Sequence, residues 1–264
     1  MSYLSLPHEP ENNAEVQSHH ALYHRLQKLG ARFLRLIYPV TCRSCRATPA
    51  TIAGFFCGDC LDRMPTLPTP ACHRCAAPLP DSTPSYNCNE CRTIPPAFDR
   101  AVTPFCYSGT AALAVQYLKY NRKTPLSTPM AHRLAAHLSG VDADRVAAIP
   151  LHPSRLRQRE MNPALLLARD LARLLCLPLS VDDLVRTRAT PPQVGLSKEA
   201  RAENVKGAFH VARPATFRGM RILLLDDVYT TGATLREGAK TLMAAGARAV
   251  TVSAFARAMP WEAQ

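Results

Sequence analysis

The sequence predicts an α/β domain with a parallel sheet, preceded by a small cysteine-rich module. Two observations carry this prediction. Eight of the ten cysteines fall between residues 42 and 91, and after about residue 97 short apolar segments alternate with stretches of helical periodicity. Strands that alternate with helices form parallel sheets covered on both faces. Such sheets bind their ligands beyond the carboxyl ends of the strands.

The first 37 residues are expected to lie outside both units. Residues 1–20 are polar and predict a disordered tail. Residues 21–37 place leucines and a phenylalanine at helical spacing among arginines, which predicts a basic amphipathic helix. The amino terminus lacks the features of a secretion signal, and no apolar run approaches the roughly 20 residues that span a bilayer. We therefore expect a cytoplasmic protein.

Four C-x-x-C pairs define the cysteine-rich module, for which we expect bounds of 38–96. The pairs are Cys42/Cys45, Cys57/Cys60, Cys72/Cys75 and Cys88/Cys91. One such turn directs two thiolates at a metal ion, and a second turn about a hairpin away completes a tetrahedron. The repetition predicts two structural zinc ions in consecutive ribbons, the first pair with the second and the third with the fourth. A crossed pairing of the turns also fits the spacing.

Two other uses of these cysteines are disfavoured. A disulfide framework does not suit a reducing compartment, and a thioredoxin-like pair would need a βαβ context that the module lacks. The module has about 50 residues and few large apolar side chains, so it needs metal to fold. Cys106 and Cys176 lie in apolar contexts and are expected in the core.

The net charge of +12 points to an anionic partner, either nucleic acid or a polyphosphate. Two zinc ions held by eight thiolates would lower this charge to about +8. The larger domain is expected over residues 97–264. Buried strands are predicted over residues 146–150, 221–226 and 248–255. Helices are predicted over residues 110–120, 127–139, 163–176 and 234–245.

The stretch LLLDDVYTTGAT, residues 223–234, holds the candidate binding residues. An apolar strand ends at Asp226 and Asp227, whose carboxylates can accept hydrogen bonds from the vicinal hydroxyls of a ribose. Hydroxyls, backbone N–H groups and a glycine follow, and a helix then begins with its positive dipole end, which suits a phosphate. The phosphate residues are Thr230, Thr231, Gly232, Ala233 and Thr234. The pattern therefore predicts a ribose 5-phosphate site. A Walker motif does not fit, because its glycine and lysine spacing is absent.

This stretch resembles the phosphoribosyl pyrophosphate (PRPP) signature of type I phosphoribosyltransferases. Tyr229 replaces the usual aliphatic residue but matches the ComF competence-protein branch. The segment IPLHPSRLRQR, residues 149–159, is similar to the pyrophosphate loop of ComF proteins and the arginine-rich segment after it. The resemblance assigns pyrophosphate binding to Leu151, His152, Arg155 and Arg159. The family continues with glycine, an aromatic residue and asparagine, whereas this chain has Glu160, Met161 and Asn162.

Residues 186–209 are similar to the family's flexible loop and its return to the sheet, and residues 118–120 match the segment after its first helix. With the cysteine repeats, the resemblance covers about residues 30–258. It implies a type I phosphoribosyltransferase fold that binds PRPP with Mg²⁺. Catalysis would consist of positioning and charge stabilisation, with no residue assigned as a catalytic acid or base, and closure of the 187–206 loop would exclude water.

Three functions remain open from the sequence, and no segment identifies the acceptor. The first is a working phosphoribosyltransferase. The second is a DNA-uptake accessory protein that binds PRPP without turnover and contacts single-stranded DNA, since ComF relatives are associated with natural transformation. The third is a zinc-ribbon scaffold that docks a DNA-uptake helicase and uses the PRPP site as a sensor.

Overall fold

The computed structural model describes residues 40–47, 49–80, 86–191 and 196–259. The expected tail over residues 1–20 and the expected helix over residues 21–37 lie outside these ranges. Among the helices that the described ranges contain, none is long and apolar enough to cross a membrane.

The helices and strands of the described residues are, in chain order, α1 (Gly58–Asp62), α2 (Asn89–Thr93), β1 (Arg100–Val102), β2 (Phe105–Cys106), α3 (Gly109–Tyr120), α4 (Ser127–Ala135), β3 (Arg145–Ala148), α5 (Pro153–Arg159), α6 (Pro163–Leu174), β4 (Leu179–Ser180), β5 (Leu184–Arg186), α7 (Lys198–Val205), β6 (Phe209–Val211), β7 (Arg221–Tyr229), α8 (Ala233–Ala244) and β8 (Ala249–Arg257). Short 3₁₀ turns over Thr124–Leu126 and Pro214–Thr216 precede α4 and β7.

Six of these strands form one parallel sheet in the order β1-β8-β7-β3-β4, with β2 also paired to β8. The predicted α/β class is confirmed. The predicted strands correspond to β3, β7 and β8, and the predicted helices to α3, α4, α6 and α8, although α4 ends at Ala135 and not at residue 139. Strands β1, β2 and β4 have two or three residues each, too few for a periodic signal.

The central strand β7 is buried on both faces, as its unbroken apolar run requires. Leu223 and Leu225 face a core formed with α3, α4 and α6, whereas Ile222 and Leu224 face a second core beneath α8. Successive side chains of a strand point to opposite faces, so the two cores lie on the two sides of the sheet.

The two halves of the cysteine-rich module pack onto these two cores separately. Cys42 and Phe56 belong to the core shared with α3, α4 and α6, and Cys75 and Cys91 belong to the core beneath α8. The module therefore packs against both faces of the sheet and contributes side chains to both cores.

The segment between the antiparallel strands β5 and β6 contains a helix where a loop was expected. Within residues 187–206, helix α7 begins after Ser197, whose Oγ accepts a hydrogen bond from the Ala200 N–H at 3.2 Å. Only Val205 of this helix is buried. The helix lacks an apolar stripe, so its sequence gives no helical periodicity.

Candidate functional site

Strand β7 delivers Asp226 and Asp227 to a pocket of about 320 Å³ at the carboxyl ends of the strands. Five basic side chains line this pocket beside the two carboxylates: Lys119, Arg155, Arg159, Arg186 and Arg201. The described walls thus carry an excess of positive charge. A ligand with several phosphate groups and a sugar suits such a pocket.

The two carboxylates have different surroundings. Lys119 Nζ lies 2.7 Å from Asp227 Oδ1, and the two side chains are 17% and 10% exposed. The Asp227 N–H donates to Asp226 Oδ1 at 2.9 Å. Burial, with the Asp227 carboxylate, raises the pKa of Asp226 to about 7, although Lys119 opposes the shift. Burial lowers the pKa of Lys119, but the Asp227 carboxylate raises it, and the net shift is upward. The site therefore holds one carboxylate, Asp227, whose charge is paired with Lys119, and a second, Asp226, whose pKa is raised to near neutral.

Sequence reasoning assigned no role to Lys119 or Arg186. Both lie in segments that resemble the family, but nothing in the local sequence pairs Lys119 with a carboxylate 108 residues away. Arg186 is 8% exposed, donates to the Thr190 hydroxyl, and has its guanidinium 5.5 Å from the centre of the Phe209 ring. Burial and the nearby Arg155 lower the pKa of Arg186, against the attraction of Asp226.

The predicted phosphate loop joins β7 to α8 through Gly232. This residue has a φ of +78° and is the N-cap of α8, and the Arg236 N–H donates to its carbonyl at 2.8 Å. A Cβ at position 232 would lie 2.2 Å from the Tyr229 hydroxyl. Thr230 and Thr234 line the pocket, at the positive end of the α8 dipole. The loop thus needs glycine both for its left-handed conformation and for the space that Tyr229 occupies.

Tyr229 is 2% exposed and packs beneath the guanidinium of Arg257, which lies 4.3 Å from the ring centre. Burial raises its pKa to about 12. Arg257 also donates to the carbonyl oxygen of Cys75 at 2.7 Å. The aromatic residue at this position therefore fills the space between the phosphate loop and the second half of the cysteine-rich module.

Three of the four residues assigned to pyrophosphate line the pocket: Leu151, Arg155 and Arg159. Arg155 Nη2 donates to the Thr190 carbonyl at 3.3 Å, and the Arg159 guanidinium lies 5.3 Å from the centre of the Tyr120 ring. His152 caps α5, since its Nδ1 lies 2.7 Å from the Ser154 hydroxyl and accepts from the Ser154 N–H at 3.3 Å. The structure thus places His152 at the start of the arginine helix.

At Glu160, where the family has glycine, the backbone adopts a conformation that glycine favours. Glu160 ends α5 with a φ of +62°, and its N–H donates to the Leu156 carbonyl. Asn162, which this chain shares with the family, caps α6 and donates to the Ile149 carbonyl at 2.9 Å. An L-residue in this conformation costs roughly 1 kcal/mol, so Glu160 adopts it at a small energetic cost.

The eight cysteines form two groups of four. In each group the four sulfurs lie within 4.8 Å of one another, with Cys42, Cys45, Cys57 and Cys60 in the first and Cys72, Cys75, Cys88 and Cys91 in the second. This is the consecutive grouping, and the crossed alternative is not adopted. Arg46 and Ala76 follow equivalent cysteines with φ values of 61° and 58°, so the two halves repeat one turn.

The donor set suits zinc. Cys72 Sγ accepts hydrogen bonds from the N–H groups of Cys75 at 3.5 Å and Cys88 at 3.3 Å. Although burial opposes the shift, backbone N–H groups lower the pKa of Cys72 to about 7 and that of Cys42 to about 6. Burial instead raises the pKa of Cys60, Cys75 and Cys91. In each group the four converging sulfurs, one of which backbone N–H groups favour as a thiolate, match a tetrahedral structural zinc site.

Comparison with known proteins identifies the family of this chain. A model described as a double zinc ribbon domain matches residues 33–92, and one described as a phosphoribosyl transferase domain matches residues 161–263. DNA utilization protein YhgH of Salmonella typhimurium is 31% identical over 231 residues, which cover 85% of this chain and 100% of the relative. Competence protein F of Haemophilus influenzae is 29% identical over 227 residues, which cover 82% and 96%. The chain belongs to the ComF family.

Membership in the ComF family confirms the combination of a double zinc ribbon with a type I phosphoribosyltransferase fold. The transferase match begins at residue 161, so Lys119 and Arg155 lie outside it. Among solved structures, glutamine PRPP amidotransferase from B. subtilis aligns with 54% of this chain and 30% of its own, at 20% identity and a TM-score of 0.38.

Proposed function

We propose that this ComF family member binds PRPP between β7 and the arginine helix α5 and uses it as a phosphoribosyl donor. The observation that carries the proposal is the placement of Asp226, Asp227 and the amino terminus of α8 around one pocket. In this arrangement the carboxylates accept hydrogen bonds from the ribose hydroxyls. Thr230 and Thr234, with the helix dipole, hold the 5-phosphate.

The remaining basic side chains would act on the pyrophosphate. Arg155 and Arg159 extend from α5 into the pocket and neutralise charge as pyrophosphate leaves C1 of the ribose. No general base is needed on the sugar, because the transition state is stabilised by fixed charges and by positioning. Lys119 holds the Asp227 carboxylate in place through the 2.7 Å ion pair.

Mg²⁺ fits this site as a partner of the ligand. It prefers oxygen ligands and retains several waters, and when bound it would neutralise phosphate charge. The pocket offers the Asp226 and Asp227 carboxylates, and one of them is already paired with Lys119. The protein thus supplies few metal-ligand oxygens, and PRPP itself would supply the others.

The biological setting that we propose is the handling of incoming DNA in the cytoplasm. The relatives carry the names DNA utilization protein and competence protein F. The net charge of +12 supports weak, salt-dependent contact with single-stranded DNA. The alternative is an accessory protein that binds PRPP without turnover and contacts single-stranded DNA or docks a DNA-uptake helicase.

Calorimetric titration with PRPP, with and without Mg²⁺, tests the proposed site. We expect binding that depends on Mg²⁺ and competition by ribose 5-phosphate and by pyrophosphate, since each is half of the ligand. Absence of PRPP binding with Mg²⁺ present would reject the proposal. If PRPP binds but no pyrophosphate is released with any of a set of acceptors, the protein is the non-catalytic accessory protein of the alternative.

A further inference from the structure

Arg236 joins the predicted phosphate loop to the second zinc ribbon, whose four cysteines are Cys72, Cys75, Cys88 and Cys91. The Arg236 backbone N–H donates to the Gly232 carbonyl at 2.8 Å, within the loop itself. Its guanidinium Nη2 lies 3.2 Å from Glu90 Oε1 and 3.8 Å from the Cys91 sulfur, and Nη1 donates to the Ile94 carbonyl at 3.4 Å. One residue therefore contacts both the loop and the turn that carries Cys91.

A second connection runs through Arg257, at the end of β8. Its Nη1 donates to the Cys75 carbonyl at 2.7 Å, and its guanidinium lies 4.3 Å from the centre of the Tyr229 ring. Tyr229 is buried, and its ring leaves no room for a Cβ at Gly232. Because a closely packed ring has no free space in which to absorb a displacement, a shift at Cys75 would be passed on to the loop.

A third connection involves helix α7. Lys198 Nζ lies 2.6 Å from Glu90 Oε2, the oxygen that Arg236 does not contact. On the same helix, Arg201 lines the proposed PRPP pocket, and Thr234 of α8 lines it as well. Glu90 is therefore shared by two helices that each bring a side chain to this pocket.

The first zinc ribbon contacts the transferase fold elsewhere. Phe55 and Phe56 pack against Tyr117 of α3, with ring centroids 5.5 and 6.4 Å apart. Tyr117 does not line the proposed PRPP pocket, whereas Lys119 of the same helix does. Residues two apart on a helix point about 200° away from each other, so the ribbon and the pocket lie against different faces of α3. The second ribbon alone is thus joined to the phosphate loop by the contacts described above.

We infer that zinc binding by the second ribbon and PRPP binding are linked, with Arg236 and Arg257 as the positioning residues that join the two sites. The inference rests on the proposed PRPP function. Zinc, when bound, fixes the turns that carry Cys75 and Cys91, and the two arginines transmit that order to the loop. Linkage between two binding equilibria is reciprocal, and it typically amounts to about 5- to 150-fold. PRPP should therefore raise the zinc affinity of the second ribbon by the same factor by which that zinc raises the affinity for PRPP.

Removal of zinc from the full-length protein tests the link. A zinc chelator with little affinity for Mg²⁺ is titrated with and without saturating PRPP and Mg²⁺, and the chelator concentration that removes half of each ion is measured. PRPP should raise this concentration about tenfold for one of the two ions and change it by less than about twofold for the other. In Cys45→Ser, only the second group keeps four cysteines, and its ion should show the same protection.

Arg236→Gln removes the guanidinium but keeps the eight cysteines and the backbone hydrogen bond to Gly232, so the variant should still hold two zinc ions. Protection by PRPP should fall from about tenfold to about twofold or less. Arg133→Gln is the matched control, because Arg133 pairs with Asp62 of the first ribbon and does not line the proposed PRPP pocket. The control should keep the full protection, which separates a positioning role from a general loss of stability.

Equal protection of both ions by PRPP, or full protection in Arg236→Gln, would overturn the inference. If calorimetry shows PRPP binding but neither ion is protected in wild type, the proposed function stands and the link is rejected. If calorimetry shows no PRPP binding, the proposed function is rejected and the link with it. The wild-type comparison decides the matter by itself should Arg236→Gln fold poorly.

Discussion

Arg236 of helix α8 donates to Glu90 of the second zinc ribbon, with Nη2 3.2 Å from Oε1. Glu90 directly precedes the zinc ligand Cys91, whose sulfur lies 3.8 Å from the same nitrogen. The other Glu90 oxygen lies 2.6 Å from Lys198 Nζ of α7. Helix α8, which begins at the predicted phosphate loop, is thus tied by Arg236 to the turn that carries Cys91. The ribbon thereby supports the proposed PRPP site.

Replacing Glu90 with glutamine should weaken this support. Because the groups are only partly buried, we expect a loss of about 1 kcal/mol in the free energy of unfolding and a few-fold loss in PRPP affinity. Thermal unfolding and calorimetry measure the two effects. Asp62→Asn is the matched control, since Asp62 pairs with Arg133 on the side of the first ribbon. A similar loss of PRPP affinity in the control would show that the Glu90 contact has no special role.

Gly232→Ala should disrupt the phosphate loop. The new Cβ would lie 2.2 Å from the hydroxyl of the buried Tyr229, so we expect a loss of roughly 2–4 kcal/mol and weaker PRPP binding. Gly140→Ala separates this clash from backbone strain, because Gly140 has a similar φ of +76° and open space around it. The control should lose about 1 kcal/mol and keep its affinity for PRPP. Equal losses in the two variants would contradict the packing argument.

Asp226→Asn should stabilise the free protein above neutral pH. Folding raises the pKa of Asp226 from 3.8 to about 7. The stability contributed by its protonated form is therefore complete below about pH 4 and is lost as pH rises through 7. A neutral amide avoids that loss, so at pH 8 the variant should be more stable than wild type by roughly 1–3 kcal/mol. Melting curves at pH 5 and pH 8 check the sign. A larger advantage at pH 5 would rule out the assigned pKa.

The purified protein should contain about two zinc ions per chain, because each cysteine group offers four converging sulfurs. Elemental analysis of wild type and of Cys45→Ser measures the count. The variant should hold about one ion, since only the first group includes Cys45. Loss of both ions in this variant, or absence of zinc in wild type, would contradict two separate centres.

Much of this architecture follows from the sequence because its signals are local. The C-x-x-C turns and the strand that ends in Asp226 and Asp227 are each contained in a few residues. The cysteine grouping needed the structure, since spacing fits two pairings. The role of Lys119 was also not predicted, because only the folded sheet brings it next to its partner Asp227. Glu160 shows a third limit. Its φ of +62° is unusual for glutamate, so the residue type gives no signal for this conformation.

The affinity for PRPP, measured with Mg²⁺ in wild type and in the double variant Asp226→Asn/Asp227→Asn, tests the central claim most directly. Each carboxylate should contribute roughly 1.5–3 kcal/mol through hydrogen bonds to the ribose, so the double variant should lose at least about a hundredfold in affinity. The control is Asp59→Asn/Asp62→Asn, which removes the same charge from exposed positions on α1. Wild-type affinity in the first double variant, or an equal loss in the control, would place the PRPP site elsewhere.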